Sequence, residues 1–245
     1  MFRAVIFDFF GTLTQAVARG PAHQRIARRL GCDPDDFAVA LNDTFVARSV
    51  GALGDPMSAL ADVAGRLGSF PSDRRLRQVA DQRIAAVAAD TRLRPAAVPV
   101  LRRLRRLGAS IGLISDCGPE LPEFLPELPI APLLDAVVLS IDLQLHKPDP
   151  RMYWDVCRRL RVDPAECLYV GDGGSQELTG AAGVGMTAVR LAAPDLGRHL
   201  VFGADTGWSG DSVESLEEIV PMVAAARPIA AAHPRRPVSP RLRLT

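Results

Sequence analysis

The sequence predicts a doubly wound α/β fold, a parallel sheet covered by helices, with an all-helical segment inserted after the first strand. Three observations predict it. The chain opens with a nearly continuous apolar run, residues 2–10, that stops at Gly11, the pattern of a strand buried on both faces. Similar short apolar runs recur downstream and alternate with helical patterns. Between Leu13 and about Arg94 there is no strand pattern, only helical stripes.

The elements follow in order. After the first strand, Ile26 and Leu30 lie four apart and Gly31 ends their helix. Asp33 before Pro34, and Asp55 before Pro56, read as N-caps followed by proline in the first turn. Phe37, Leu41 and Phe45 form one stripe. Leu60, Val63 and Leu67 form a second, ended by Gly68, and Leu76, Ala80, Ile84 and Val87 form a third. The chain then returns to the α/β layer. Residues 95–107 place Leu101, Leu104 and Leu107 on one side and stop at Gly108. Strands are expected at Ser110–Ser115, 136–140, 167–170 and Thr187–Leu191, and helices at 153–160 and 178–184. Residues 193–211 are long for a simple connection and are expected to form a lip near the site or an interface. Ser215 and Glu218 have capping-box spacing ahead of a last helix, with Pro221 expected to kink it. Residues 227–245 carry Pro228, Pro234, Pro237 and Pro240 among five arginines and read as a disordered tail. The expected division is a core of 1–14 with 95–226, a helical insert of 15–94, and the tail.

The composition agrees with this fold and excludes several functions. Of 245 residues, 48% are apolar and 23% charged, which rules out a wholly disordered chain. No apolar run approaches the roughly twenty residues of a membrane span. Asp8 comes too early for a signal-peptide core. Cys32, Cys117, Cys157 and Cys167 have no paired short spacing, which argues against a disulfide framework or zinc site and for a cytoplasmic protein. The net charge of +1 does not suit a nucleic-acid binder. Arg102, Arg103, Arg105 and Arg106 alternate with leucines as a solvated helix face. Trp154 and Trp208 read as packing residues. His23, His199 and His233 have no ligand-like spacing.

Ligands of open α/β sheets sit beyond the carboxyl ends of the strands, and four such ends here carry reactive groups. Asp8 ends the first apolar run, where a carboxylate is costly unless paired, and a carboxylate can act as a nucleophile. Gly11 and Thr12 follow, the glycine allowing a sharp turn beside a ligand. Ser115 and Asp116 end the second strand, offering a hydroxyl and backbone N–H groups to an anion. Lys147, in the segment HKPDP, is the one lysine among 29 basic residues. A compact ammonium approaches an anionic oxygen more closely than a guanidinium does. Asp172 and Glu177 flank a glycine-rich strand-to-helix turn, and two acids there suit a hard cation.

In this order these pieces, FDFFGTL, LISD, HKPDP and YVGDGGSQELTGAAGVGM, resemble the haloacid dehalogenase-like hydrolase superfamily over roughly residues 1–226. The resemblance implies a Rossmann-like core, with the helical insert as a mobile cap of the branch that includes phosphoglycolate phosphatases and 2-haloacid dehalogenases. It implies hinges near residues 13–20 and 90–94. It makes Asp8 the nucleophile, with Ser115 and Lys147 holding the transferring group and Gly11, Thr12 and Asp116 beside it. Mg²⁺ would be held by Asp8, Asp172, Glu177 and the backbone carbonyl of Phe10. The implied substrate is a small phosphorylated metabolite, with no nucleic acid or membrane as partner; oligomeric state is not readable.

One departure bears on the reaction. The family's phosphatases carry a second Asp two residues after the nucleophile, to protonate the leaving group, and this chain has Phe10. Losing a general acid typically costs about 10²–10⁴-fold. The favoured reading is a Mg²⁺-dependent phosphatase acting on substrates with good leaving groups. The alternatives are a metal-free 2-haloacid dehalogenase, whose pattern Phe10 and Tyr153 match but Asp116 and Asp172 do not, and a weakly catalytic ligand- or partner-binding protein. A dehalogenase would also need a cap arginine for the substrate carboxylate, with Arg19, Arg25 and Arg48 as candidates. The phosphonate-cleaving branch needs a cap lysine, which is missing.

Overall fold

The computed structural model describes residues 1–226; the predicted tail, 227–245, lies outside them. Six strands form one parallel sheet: β1 (Ala4–Phe7), β2 (Ser110–Ser115), β3 (Ala136–Leu139), β4 (Cys167–Gly171), β5 (Thr187–Leu191) and β6 (Ser212–Val213). Their spatial order is β3-β2-β1-β4-β5-β6. After β1 the chain adds β2 and β3 on one side, then crosses to β4 on the other. The order therefore reverses beside β1, where doubly wound sheets bind ligands.

The period-two alternation of each strand feeds two apolar layers. Val5, Phe7, Leu168 and Val170 pack in one, and Ala4, Ile6, Cys167 and Tyr169 in the other. The central strands are buried on both faces, which is why they read as unbroken apolar runs rather than alternating ones.

Between β1 and β2 lie α1 (Pro21–Arg29), α2 (Pro34–Asp43), α3 (Phe45–Ser49), α4 (Pro56–Arg66) and α5 (Asp73–Asp90), and then α6 (Ala97–Arg106). The remaining helices are α7 (Leu121–Phe124), α8 (Ser140–Leu143), α9 (Pro150–Leu160), α10 (Glu177–Gly183) and α11 (Ile219–Ala225). Helices α1, α2, α4 and α5 share an apolar cluster of their own that includes Ile26, Phe37, Leu41, Leu60, Val63 and Leu76. The predicted caps form: Asp33 accepts from the N–H groups of Asp35 and Asp36, and Asp55 from that of Ser58. The third stripe divides. Leu76 and Ala80 join the insert's cluster, whereas Ile84 and Val87 pack against the sheet's, so α5 ties the two together. The insert's entry and exit run side by side, with Thr14 and Leu93 bridged.

Several expectations are corrected. The first strand ends at Phe7, not residue 10, because residues 9–13 wind into one wide helical turn with Gly11 at φ +78°. Strand β6 was missed; two residues are too short to show a pattern. Phe45 leaves its stripe, since Thr44 breaks α2 from α3. Pro221 lies in the first turn of α11, where proline is tolerated, and the capping box at Ser215 and Glu218 precedes it as predicted. Trp154 is 52% exposed rather than packed. Among the described residues, no helix is long and apolar enough to cross a membrane.

Candidate active site

One cleft of about 150 Å³ lies at the carboxyl end of the sheet, roofed by the insert. Asp8, Phe10, Asp116, Lys147 and Asp172 all line it. Sequence positions up to 164 apart are brought together because the strand ends converge. Gly11, Thr12, Ser115 and Glu177 lie immediately behind this lining rather than on it, and each is buried. The hydroxyl of Thr12 has no partner among the described residues.

The turn after β1 is fixed from two sides. Arg94 donates to the carbonyls of Thr12 and Gly11 at 2.9 and 2.8 Å. Gly11 combines a positive φ with close approach: a Cβ there would stand 2.7 Å from His199 Nε2 and 3.1 Å from an Asp172 oxygen. A side chain at this position would be strained and would also push into the site.

Lys147 is not the solvated loop residue that an isolated lysine usually is. It is 5% exposed, and its Nζ donates to Asp8 Oδ1 at 2.7 Å and Glu177 Oε2 at 2.5 Å. Glu177 Oε2 also accepts from the Tyr169 hydroxyl at 2.8 Å, and Oε1 from the Gly173 N–H at 3.0 Å. Glu177 is thus fully engaged as the partner that orients Lys147. Tyr153 donates to the Glu177 carbonyl at 3.0 Å, holding the start of α10.

Charge is concentrated here. Burial, and then the charge of Asp172, push Asp8 above the ordinary carboxylate range despite Lys147. Burial and the Asp8 charge push Glu177 well up. Burial opposes the charge on Lys147, but Asp8, Glu177 and Asp116 outweigh it and hold the ammonium protonated. One ammonium faces several carboxylates. Asp8, Asp172 and Glu177 each offer an oxygen, all within 4.8 Å of one another, and this buried all-oxygen set suits a hard divalent cation. Because both oxygens of Glu177 are engaged, Asp8 and Asp172 are the two acids of this set that line the cleft. Asp116 accepts from the Lys147 N–H at 3.1 Å, and its other oxygen faces His146 Nε2 at 3.2 Å.

The structure adds residues that spacing did not reveal. His199 accepts the Val17 N–H at Nδ1, 2.9 Å away, which leaves Nε2 as the protonated nitrogen, 3.6 Å from Asp172 Oδ2. It lies in the long connection 193–211, which forms a lip and not merely a link: His199, Leu200, Val201 and Phe202 line the cleft. Phe202 stacks on Phe45 of α3, ring centroids 4.0 Å apart. From the insert, Arg19, His23, Arg48, Arg83 and Asp90 line the same cleft, with Glu120 beside α7. Of the three candidate cap arginines, Arg19 and Arg48 reach the cleft, and Arg25 is exposed away from it.

Known proteins resemble this chain in sequence and in fold. A glyceraldehyde 3-phosphate phosphatase of Methanopyrus kandleri is 35% identical over 98 residues, an alignment that spans 40% of this chain and 42% of that protein. The chain therefore matches less than half the length of this relative. The L-2-haloacid dehalogenase of Xanthobacter autotrophicus shares the fold, with a TM-score of 0.66 at 23% identity over 93% of this chain and all of that one. A haloacid dehalogenase family enzyme of Bacteroides thetaiotaomicron, solved with magnesium and inorganic phosphate, also shares it, with a TM-score of 0.61 at 16% identity over 79% of this chain and 96% of that one. The haloacid dehalogenase-like hydrolase profile matches residues 2–185, three quarters of the sequence, and the chain belongs to that hydrolase family.

Proposed function

We propose that this hydrolase is a Mg²⁺-dependent phosphatase that works through an aspartyl-phosphate on Asp8, acting on a small phosphorylated metabolite, with residues 15–94 as a cap over the core. The observation that carries this reading is the charge balance at the sheet end of the cleft: buried Asp8, Asp172 and Glu177 against Lys147 alone. Without a cation, these carboxylates would repel one another and any anionic substrate. Asp8 and Asp172 would hold Mg²⁺, together with the Phe10 carbonyl, and the ion would supply neutralising charge to the phosphoryl oxygens.

The chain's own residues do the rest. Lys147 fixes Asp8 Oδ1, which leaves Oδ2 to form the bond to phosphorus as the bond from phosphorus to the leaving oxygen breaks. Glu177 and Tyr169 keep the ammonium in place. Ser115, Gly11 and Thr12 back the phosphate seat from behind the cleft lining, and Asp116 fixes the Lys147 backbone. Water then displaces Asp8 from phosphorus and restores the carboxylate. Phe10 has no proton to give, so the leaving group departs as an anion, and aryl and acyl phosphates should react fastest.

The test is hydrolysis of p-nitrophenyl phosphate with Mg²⁺ and with EDTA, beside Asp8→Asn. Turnover that requires both the metal and Asp8 supports the reading. A second reading, a metal-free 2-haloacid dehalogenase, draws on Phe10, an aromatic side chain lining the cleft beside the nucleophile. It predicts release of halide from 2-chloropropionate in EDTA and no phosphatase turnover.

A further inference from the structure

Two buried polar atoms face each other beside Lys147. The Nδ1 of His146 stands 2.6 Å from the Lys147 carbonyl. A carbonyl only accepts, so Nδ1 carries a proton. In a neutral ring Nε2 is then a bare acceptor. That nitrogen faces Asp116 Oδ2 at 3.2 Å, and neither atom has a hydrogen-bond partner among the described residues. Two acceptors set against each other away from water are costly. One further proton removes the conflict, because an imidazolium donates from both nitrogens, to the carbonyl and to the carboxylate.

The pair also encloses the backbone of one residue. Asp116 Oδ1 accepts the Lys147 N–H at 3.1 Å, while His146 donates to the carbonyl of the same residue. With the extra proton in place, carboxylate and ring close a loop around Lys147, whose ammonium holds Asp8 and Glu177. Asp116 directly follows β2, so the loop of Lys147 is tied to the sheet. Phe45 of α3 lies edge-on to the imidazole, ring centroids 5.9 Å apart.

We propose that Asp116 and His146 share a proton that clamps the Lys147 backbone, which makes His146 a positioning residue for Lys147. The effect on turnover rests on the phosphatase reading; the clamp itself does not. Imidazole changes charge between about pH 5 and 8. The clamp is therefore whole at the low end of that range and is lost as pH rises, when Nε2 turns its lone pair on the carboxylate. Among the described residues, Asp116 is the one titratable side chain within ion-pair distance of the ring. On the same loop, Lys147 turns its ammonium to Asp8 and Glu177, and Asp149 is paired with Arg151. Phe45 carries no charge.

The chain has a single lysine, so protein labelled with ¹⁵N-lysine shows one lysine backbone amide by NMR, that of Lys147. Ring shifts of ¹⁵N-histidine protein, with His146 assigned by its loss in His146→Leu, report which nitrogens are protonated. Both His146 nitrogens should be protonated near pH 5 and Nδ1 alone above about pH 8, and the Lys147 amide should move with the ring. In Asp116→Asn the side chain still offers an oxygen to the Lys147 N–H and supplies an N–H to the neutral Nε2. The clamp then needs no added proton, and the Lys147 amide should lose most of its pH response. In p-nitrophenyl phosphate hydrolysis with Mg²⁺, wild-type kcat should fall about tenfold between about pH 6 and 8, within the roughly hundredfold that a 1 Å misplacement can cost. His146→Leu should be low at both ends, and Asp116→Asn should be nearly flat. A neutral ring with its proton on Nε2, a wild-type Lys147 amide that ignores pH, or an amide that responds equally in Asp116→Asn would overturn the clamp. The predicted spectra beside a flat wild-type kcat would overturn the positioning role. Without wild-type turnover at any pH the phosphatase reading falls, while the ring and amide signals still decide the clamp.

Discussion

At the sheet end of the cleft, Asp8, Asp116, Asp172 and Glu177 surround one ammonium, Lys147; at the insert end, Arg19, Arg48 and Arg83 outnumber Glu120 and Asp90. The sheet end is buried, the insert end is buried at Arg48, Arg83 and Glu120 and half-buried at Arg19 and Asp90, and the two are short of counter-charge with opposite sign. Asp8, Asp116 and Asp172 of the sheet end directly follow strands that the parallel ladder holds in register, and Lys147 is tied to Asp8 and Glu177. The insert end hangs on helices that share a separate apolar cluster. The contrast is one of sign: a buried acidic end at the sheet, whose carboxylates suit a hard cation, faces a basic wall on the insert.

The largest expected effect breaks the contrast at its sheet end. Lys147→Met leaves Asp8 and Glu177 buried without their shared ammonium and should cost about 3–5 kcal/mol, read as a lower urea midpoint in EDTA. A shift below about 1 kcal/mol would mean that the carboxylates are already neutral.

The next effect belongs to the insert end and depends on pH. The unfolded His23 takes a proton near 6.5, and the folded one only near 4. Between those values the unfolded chain binds more protons, so stability falls as pH is lowered from 6.5 towards 4, by on the order of 2–3 kcal/mol. His23→Gln should flatten that part of the pH profile of the denaturation midpoint.

Arg83→Met should cost less than Lys147→Met, about 1–3 kcal/mol. Burial would raise the Glu120 pKa, but Arg83 and then Arg48 reverse that, so Arg48 still faces the orphaned carboxylate. A loss equal to that of Lys147→Met would show that Arg48 gives Glu120 no support. The smallest effect is a control far from both ends. Asp33→Ala removes the α2 cap and should cost about 1 kcal/mol by thermal denaturation, with no change in p-nitrophenyl phosphate turnover.

The two ends were also legible to different degrees. The sheet end was readable because each group ends an apolar run: Asp8 after β1, Ser115 at the end of β2, Asp172 after β4. A strand terminus in a parallel sheet has one place to be, so sequence order became geometry. Lys147 stood out as the one lysine in an arginine-rich chain. What spacing could not show was that Glu177 would spend both oxygens on Lys147, Tyr169 and Gly173. The insert end was hidden because helical stripes report the buried face and not the face turned to a ligand. Arg83 sits on α5 among exposed arginines, and nothing in its neighbours separates it from Arg75 or Arg77. His199 was hidden for a different reason: it reaches the site from an irregular connection, where no periodicity applies. Boundaries failed where the turn chemistry was tertiary, as at residues 8–10, where Gly11 and Arg94 bend a run that looked like strand.

The central claim is that Asp8 becomes phosphorylated. The direct measurement is mass spectrometry of peptides after brief incubation with acetyl phosphate and Mg²⁺ and an acid quench, with a parallel incubation in 2-chloropropionate. The account predicts one added phosphoryl group on the peptide that contains Asp8, absent in EDTA and in Asp8→Asn, and no adduct from the haloacid. A 1-carboxyethyl ester on Asp8, formed as chloride leaves, without phosphorylation would contradict it and make the protein a dehalogenase.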